Sequence, residues 1–355
     1  MADGRPLPPR RDFSSDNASG AHPEVLAMVA AANIGHAPSY GADAWTARAE
    51  DLLSARFGAG GQTFLVFNGT GANVSALATV LRPYQAVVCS ADAHLHTDEC
   101  GAPARFTGST VIPVPAERGL LTPERLEAAL PPGRRGEHQV VPAVLSLTNA
   151  SELGTVYGPE QVAELAAWAH RRGLLVHMDG ARLANAAVSA GSSLAEVSTA
   201  AGVDVLSFGG TKNGLLFGEA VVFAGTAGGI AAARHYRHTR KQATQLASKM
   251  RFLSAQFVAL LSDGLWHRNA LAANTAASRL AAGLGSVPGI EVVHPVQANT
   301  VFATLPPPVT ARLADEFSFH TWDPAAGTVR FVCSFDTGTT DIDPLVTTAR
   351  TLMNA

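Results

Sequence analysis

Short apolar runs and helical segments alternate along the middle of the chain, between residues 63 and 224. The apolar runs are rich in Val, Leu and Phe, a pattern that predicts buried strands. They cover residues 64–67, 86–89, 111–114, 139–147, 174–178, 203–208 and 220–224. Segments of helical periodicity, at residues 72–81 and 159–172 among others, separate them. This alternation predicts an α/β domain whose largely parallel sheet is covered by helices on both faces.

The N-terminal part of the chain follows a different pattern. Residues 1–11 are rich in Pro and Arg and predict a disordered tail. Helices are expected over residues 23–33, with Pro23 in the first turn, and again after Asp43, whose side chain can cap a helix.

The pattern changes again after residue 225. Two long helical patterns are followed by short strands and helices, which together predict a small α+β domain. The elements are expected at residues 227–261, 266–284, 301–305, 309–317 and 329–334, with a last helix from Asp341. We therefore expect a large domain over residues 12–240 and a small domain over residues 241–355.

Composition narrows the function classes. The chain has 355 residues, of which 47% are hydrophobic and 15% charged, enough for two cores. A net charge of −3 without a basic run argues against a nucleic-acid partner. No apolar run is as long as a membrane span, and the N-terminus has no apolar signal-peptide core. Three widely spaced cysteines form neither a metal pattern nor a disulfide framework, which favours a cytoplasmic protein.

The first candidate for chemistry is Lys212, which follows the apolar run 203–208 and the pair Gly209-Gly210. Glycines allow the backbone to turn tightly and to come close to a ligand. A lysine at the exit of a buried strand is partly desolvated, which lowers its pKa and favours a Schiff-base nucleophile. The alternative is an ordinary surface lysine.

Two further loops follow predicted strands. Asn68-Gly-Thr-Gly-Ala-Asn73 precedes a helix, so backbone N–H groups near Gly69 and the Thr70 hydroxyl can hold a phosphate. A plain tight turn is the alternative, because the loop lacks the lysine of a P-loop. Asp179 ends the run 174–178, where ligands bind in parallel sheets. Asp179 could pair with a protonated ring nitrogen, or it could form a structural ion pair with Arg182.

Together these parts predict a site for pyridoxal phosphate. The phosphate needs an anion pocket, the pyridine nitrogen needs an anion, and the aldehyde needs a lysine. The chain supplies them in the order Thr70, Asp179, Lys212. His94 follows the strand 86–89 and would reach the same crevice, where an imidazole can stack on the ring and act as a base. The rival interpretation is a nucleotide-binding module.

These residues resemble those of the low-specificity L-threonine aldolases, which belong to the β-eliminating lyase group of fold-type-I pyridoxal-phosphate enzymes. The resemblance implies an aspartate aminotransferase-like large domain with a mostly parallel seven-stranded sheet. The resemblance covers residues 12–350 and rests on several motifs in order. They are Phe13-Ser-Ser-Asp-Asn, Tyr40-Gly-Ala-Asp43, Asn68-Gly-Thr-Gly-Ala-Asn73, Ala93-His94, His177-Met-Asp-Gly-Ala-Arg182, Phe208-Gly-Gly-Thr-Lys-Asn-Gly214, Gln245-Leu-Ala-Ser-Lys-Met-Arg-Phe252 and Arg330-Phe-Val-Cys-Ser-Phe-Asp336.

The resemblance implies cleavage of L-threonine, L-allo-threonine and related β-hydroxy-α-amino acids to glycine and an aldehyde, through a Lys212 Schiff base and a quinonoid. It implies that Asp179 pairs with the ring nitrogen, that Gly69 and Thr70 bind the phosphate, and that His94 stacks on the ring. Binding roles are also implied for Ser15, Tyr40, Arg182, Lys241 and Arg330. Of these, Ser15, Arg182 and Arg330 would hold the substrate carboxylate. A homodimer sharing its sites, assembled into a tetramer, would supply Tyr40 and Lys241 from the neighbouring subunit.

One stretch departs from the family pattern. Many members carry a second histidine near the substrate hydroxyl, where this chain reads Leu147-Thr-Asn-Ala-Ser-Glu-Leu-Gly154. The base for the hydroxyl proton is therefore open: His94, directly or through a water, is the first candidate, followed by His96 or Glu99. β-Elimination or transaldolase activity with the same cofactor is the alternative reaction. No metal site is expected.

Overall fold

A mostly parallel sheet forms the centre of the protein in the computed structural model, which describes residues 12–130 and 136–354. The expected tail, residues 1–11, lies outside the described residues. The seven strands of the sheet are β1 (Gln62–Val66), β2 (Gln85–Ser90), β3 (Thr110–Val114), β4 (Val141–Thr148), β5 (Leu175–Gly180), β6 (Val205–Gly209) and β7 (Glu219–Phe223). Their order is β1-β7-β6-β5-β4-β2-β3, and only the pairs that involve β7 are antiparallel.

Helices cover this sheet and fill the connections between its strands. Up to β7 they are α1 (Pro23–Ala31), α2 (Ala44–Phe57), α3 (Gly69–Val80), α4 (His94–Thr97), α5 (Ala102–Thr107), α6 (Pro123–Ala129), α7 (Pro159–Arg171) and α8 (Leu183–Ala190). Short 3₁₀ turns at Asp16–Ala18 and Thr211–Asn213 complete the parts of this region that bear on the site. The α/β class and the seven-stranded sheet predicted from the sequence are confirmed.

The C-terminal part adds helices and a second, antiparallel sheet. The helices are α9 (Ala227–Ala233), α10 (Tyr236–Gln242), α11 (Met250–Ser262), α12 (Leu265–Gly285), α13 (Pro307–Ala314) and α14 (Thr339–Met353). The strands β8 (Glu291–Val292), β9 (Thr300–Thr304), β10 (His320–Asp323) and β11 (Thr328–Val332) pair in the order β10-β11-β9-β8. Strand β10, exposed along its length, has no apolar alternation, so its sequence did not predict a strand.

The continuous helix expected over residues 227–261 is wrong. The segment forms α9, α10 and α11, with a break in which Thr244 adopts a positive φ of 62°. The break turns Gln245 back toward the large sheet, where its Oε1 accepts a hydrogen bond of 3.0 Å from the backbone N–H of Phe67. A tertiary contact at the end of β1 thus overrides the helical propensity of an alanine-rich segment.

Two main hydrophobic cores pack against the two sheets. The larger surrounds the central sheet and includes Phe208 of β6, Leu53 of α2 and Phe257 of α11. The second lies on the small sheet and includes Phe331 and the N-terminal Phe13. Helix α12 contributes to both, since Leu265 packs in the first core and Leu280 in the second. The expected domain boundary at residue 240 stays a prediction. Among the described residues, no helix has the length and apolar character required to cross a bilayer.

Asp204, at the start of β6, ties the sheet to its covering helices. Its carboxylate is 2% exposed and accepts hydrogen bonds from the Val176 N–H at 2.9 Å and the Thr226 hydroxyl at 2.7 Å, while His170 Nε2 lies 2.8 Å away. A buried carboxylate with this many partners leaves several polar groups unsatisfied when it is removed.

We expect Asp204→Ala to lower the free energy of unfolding by about 3 kcal/mol, because buried donors lose their acceptor. The measurement is urea denaturation followed by circular dichroism. The control is Asp343→Ala, which breaks an ion pair with Arg279 in which both side chains are about half exposed. That variant should lose less than about 1 kcal/mol. Equal losses in the two variants would contradict the role of Asp204.

Candidate active site

The chain turns sharply after β6 and brings Lys212 to the carboxyl edge of the sheet. A Cβ at Gly209 would lie 2.2 Å from the Ala181 carbonyl oxygen, and one at Gly210 would lie 2.5 Å from Leu215. Both positions therefore require glycine, because the backbone here lies too close to Ala181 and Leu215 to leave room for a side chain. The expectation that they make room for a ligand is corrected at these two positions. Gly214 closes the turn at a φ of +100°.

Asp179 ends β5 beside this turn and is held by two neutral donors. One carboxylate oxygen accepts from the Ala181 N–H at 3.0 Å, and the other accepts from the Asn73 amide at 2.8 Å. The Asn73 amide also donates to Glu99 at 2.8 Å. The side chain is 7% exposed. The structure therefore holds the Asp179 carboxylate without a cationic partner in a hydrogen bond.

Arg182 pairs with Asp16 and not with Asp179. Its Nε and one terminal nitrogen lie 2.7 and 2.9 Å from the two carboxylate oxygens of Asp16, a bidentate geometry. Burial alone would raise the pKa of Asp16, but the charges of Arg182 and Lys212 and the hydrogen bonds from Arg182 and Asn299 together outweigh it, and the pKa of the carboxyl is lowered. The alternative of an Asp179–Arg182 ion pair is not what the structure shows.

Arg330 of β11 approaches the same region from the small sheet. A terminal nitrogen lies 3.4 Å from the Ser14 carbonyl, and the guanidinium lies over the Trp322 ring at 5.2 Å. Its Nε is buried and has no hydrogen-bond partner among the described residues. Ser15 lines the same cavity, with its hydroxyl accepting from the Asn17 N–H at 3.1 Å. Arg330 thus lines this cavity and has a donor without a partner among the described residues.

Helix α3 begins at the candidate phosphate loop. The Asn68 side chain caps the helix by accepting from the Gly71 N–H at 2.7 Å. Gly69 and Thr70 line a cavity with Asp179 and Lys212, and a Cβ added to Gly69 would meet nothing within 4 Å. Gly71 is different, because a Cβ there would lie 2.3 Å from the Gln245 side chain. The first turn of α3 therefore offers N–H groups beside open space.

His94 begins α4 between two glutamates. Its Nδ1 lies 3.1 Å from Glu99, and its backbone N–H donates to Glu152 at 2.6 Å. The Glu99 carboxylate raises the pKa of the imidazole, against the effect of burial. His96 is exposed and does not line the cavities described here, whereas Glu99 is buried and does. The base role expected for His94 stays a prediction.

Two of the expected site residues lie elsewhere. Tyr40 and Lys241 are both exposed, and the Lys241 amine sits 5.1 Å from the centre of the Tyr40 ring. Neither lines the cavity of Lys212 or that of Arg330. The structure thus brings these two residues to each other and not to the rest of the set. Their expected contribution to a neighbouring subunit stays a prediction.

Comparison with known proteins decides the family. The profile of the β-eliminating lyases matches residues 12–306. The chain belongs to the β-eliminating lyase family. A protein of a Pseudomonas species named low specificity L-threonine aldolase is 42% identical over 97% of this chain and 99% of its own.

Solved structures agree with this placement. The Leishmania major threonine aldolase superposes with a TM-score of 0.90 at 30% identity, over 97% of this chain and 99% of its own. Aspartate aminotransferase from Thermus thermophilus, at 15% identity, matches with a TM-score of 0.68 over 97% and 91% of the two chains. The latter likeness concerns the fold alone, and it confirms the aspartate aminotransferase-like architecture.

The electrostatics of this β-eliminating lyase centre on Lys212. The chain has three lysines, and the other two, Lys241 and Lys249, are exposed. The positive charge of Arg182, and after it burial, lower the pKa of the Lys212 amine. Asp16 and the other nearby carboxylates act in the opposite direction without cancelling the effect. A larger fraction of the amine is therefore neutral than in an ordinary lysine.

Sequence reasoning missed several polar residues of the site. Asp16 and Asn73 lie inside motifs already noted, so their positions were signalled but their partners were not. Glu219 directly precedes the apolar run 220–224 and is the first residue of β7, a position that gives no signal of its role. It is 6% exposed and accepts a 2.6 Å hydrogen bond from Gly210 N–H beneath Lys212. Burial raises the pKa of Glu219 to about 7.

The raised pKa of Glu219 predicts a pH dependence of stability. In the folded protein the Glu219 carboxyl keeps its proton up to about pH 7, whereas in the unfolded chain it loses the proton near pH 4.5. Stability from this group is therefore complete below pH 4.5 and declines as the pH rises through 7. We expect Glu219→Gln to gain melting temperature relative to wild type between pH 5 and pH 8, measured calorimetrically without cofactor. A pH-independent difference between the two proteins would contradict this.

Proposed function

We propose that this protein is a pyridoxal-phosphate-dependent aldehyde-lyase that cleaves L-threonine, L-allo-threonine and related β-hydroxy-α-amino acids to glycine and an aldehyde. The observation that carries the proposal is that Gly69 and Thr70, at the start of α3, line one cavity together with Asp179 and Lys212. A second cavity is lined by two arginines, Arg182 and Arg330. Relatives that match nearly the whole chain carry the name of this activity.

The residues present fit the cofactor. Space at Gly69 and the first-turn N–H groups of α3 suit a phosphate. The Asp179 carboxylate, whose two oxygens accept hydrogen bonds from neutral donors, suits a protonated ring nitrogen. The Lys212 amine, with its lowered pKa, suits the aldehyde. His94 would cover one face of the ring. When bound, pyridoxal phosphate withdraws electrons from Cα of the amino acid and so makes the Cα–Cβ bond breakable.

Three residues of the second cavity would hold the substrate carboxylate. Arg330 has a buried Nε free to donate, and Ser15 and Arg182 line the same wall. Because Asp16 fixes the guanidinium of Arg182 in one orientation, Arg182 would present its remaining N–H groups without loss of side-chain entropy on binding. Fixing the carboxylate sets which bond to Cα stands perpendicular to the ring.

The finer assignments extend this proposal. We assign the exposed Tyr40–Lys241 pair to the site of a neighbouring subunit, in a homodimer that assembles into a tetramer, because neither residue reaches its own chain's cavities. We assign the protein to the cytoplasm, where Cys89, Cys100 and Cys333, all free, stay reduced. The large domain would span residues 12–240 and the small domain residues 241–355.

The lysine is tested by Lys212→Ala. Purified wild-type protein incubated with pyridoxal phosphate should absorb visible light, and the variant should lack the lysine-dependent band. Release of aldehyde from L-threonine should fall at least about a thousand-fold, because a nucleophile is removed. The control is Lys249→Ala, an exposed lysine outside the cavities. A wild type that neither binds the cofactor nor yields glycine and aldehyde would sink the proposal.

A further inference from the structure

The loop after β4 places a buried carboxylate at the edge of the site. It belongs to Glu152, in the stretch from Leu147 to Gly154 that carries no histidine. One oxygen of its carboxylate accepts the 2.6 Å hydrogen bond from His94 N–H. The other, Oε2, is buried and has no hydrogen-bond partner among the described residues. A buried carboxylate oxygen without a donor is costly, so its retention requires a reason.

The position of Glu152 between two cavities gives a reason for keeping this buried carboxylate. Among residues 12–130 and 136–354, those that line both the cofactor cavity and the carboxylate cavity are His94, Glu152, Arg182 and Lys212. The bond to be cleaved joins Cα, next to the cofactor, to Cβ with its hydroxyl. A residue at the junction of the two cavities is therefore placed to reach the β-hydroxyl.

We propose that Glu152 is the catalytic base that takes the β-hydroxyl proton, an assignment that rests on the proposed aldolase function. The O–H bond breaks toward a Glu152 carboxylate oxygen, and its electron pair forms the C=O bond of the aldehyde. The electron pair of the Cα–Cβ bond stays with Cα, which then takes a proton from solvent to give glycine. Glu152 returns its proton to solvent, so the charge of the site is restored.

The other candidates are less suited to this step. Both partners of Glu99, the Asn73 amide and His94 Nδ1, use Oε1, and its buried Oε2 has no partner among the described residues. Glu99 nevertheless lines the cofactor cavity only, away from the junction of the two cavities. The raised pKa of His94 increases its protonated fraction near neutral pH, and a protonated imidazole cannot accept a proton. His94 then keeps the role of covering the ring.

The ionisation of Glu152 suits a base that works near neutral pH. Burial raises the pKa of its carboxyl to about 7. The backbone N–H groups of His94 and of Glu152 itself and the nearby Thr148 hydroxyl oppose this, and the charge of Asp179 adds to it. The arginines and lysines that line these two cavities are Arg182, Lys212 and Arg330. General bases are most effective when their pKa lies near the working pH.

The test compares two reactions of the holoenzyme in Glu152→Gln, which keeps an acceptor for His94 N–H. Aldehyde release from L-threonine should fall at least about 100-fold, the usual size of a general-base contribution. Exchange of the glycine Cα proton with deuterium, followed by NMR, involves no β-hydroxyl and should stay within about three-fold of wild type. The acidic limb of the kcat profile near pH 7 should disappear. The exposed Glu164→Gln is the matched control.

A second variant and a cofactor-free measurement secure the result. Glu152→Ala should regain aldehyde release when formate is added, since a small carboxylate can occupy the vacated space. Without cofactor, Glu152→Gln should gain melting temperature relative to wild type as the pH rises from 5 to 8, because a carboxyl with a raised pKa favours the folded state only while protonated.

Three outcomes would overturn the assignment. Wild-type aldehyde release in Glu152→Gln would return the base role to His94. Equal loss of aldehyde release and glycine exchange would make Glu152 a residue that shapes the site. A pH-independent difference in melting temperature would remove the raised pKa on which the step depends. In each case wild-type cleavage of L-threonine would persist, so failure of this inference is distinguishable from failure of the proposed function.

Discussion

The buried ion pair between Asp16 and Arg182 joins the two halves of the structure at the site. Arg182 belongs to the loop after β5 of the large sheet. Asp16 follows Phe13, which packs in the core of the small sheet, and it also accepts a 3.0 Å hydrogen bond from Asn299, next to β9. A buried pair of this kind gives little net stability, but removing one partner leaves an unpaired charge. The pair therefore fixes how the cavity of Arg330 faces that of Lys212.

Charge burial around that pair explains why the site contains shifted groups of both signs. Arg182 lowers the pKa of Lys212, while burial raises those of Glu152 and Glu219 to about 7. An amine with a lowered pKa and carboxyls that titrate near neutrality suit nucleophilic attack and proton transfer. The same desolvation reduces stability, a cost that the backbone hydrogen bonds from His94 to Glu152 and from Gly210 to Glu219 offset in part.

Local sequence predicted the elements that carry the site better than it predicted their partners. Parallel strands end at one edge of a sheet, so Asp179 and Lys212 were expected to lie together, and they do. The Asp16–Arg182 pair joins residues 166 positions apart, and no periodicity signals such a contact. The break at Thr244 was not predicted for a similar reason, because the helical pattern does not signal the hydrogen bond that the Phe67 N–H, just after β1, donates to the Gln245 side chain. Glu152 was not predicted either, because a glutamate in a loop gives no sequence signal that it is buried beside the site.

The central claim is that Lys212 anchors pyridoxal phosphate at the end of β6. It is tested most directly by reducing the holoenzyme with borohydride, digesting it and locating the attached pyridoxyl group by peptide mass spectrometry. The chain offers three lysines, so the answer is unambiguous. The structure predicts the label on the peptide that contains Lys212 and none on Lys241 or Lys249. A label on either exposed lysine in place of Lys212, or no label at all, would contradict the account.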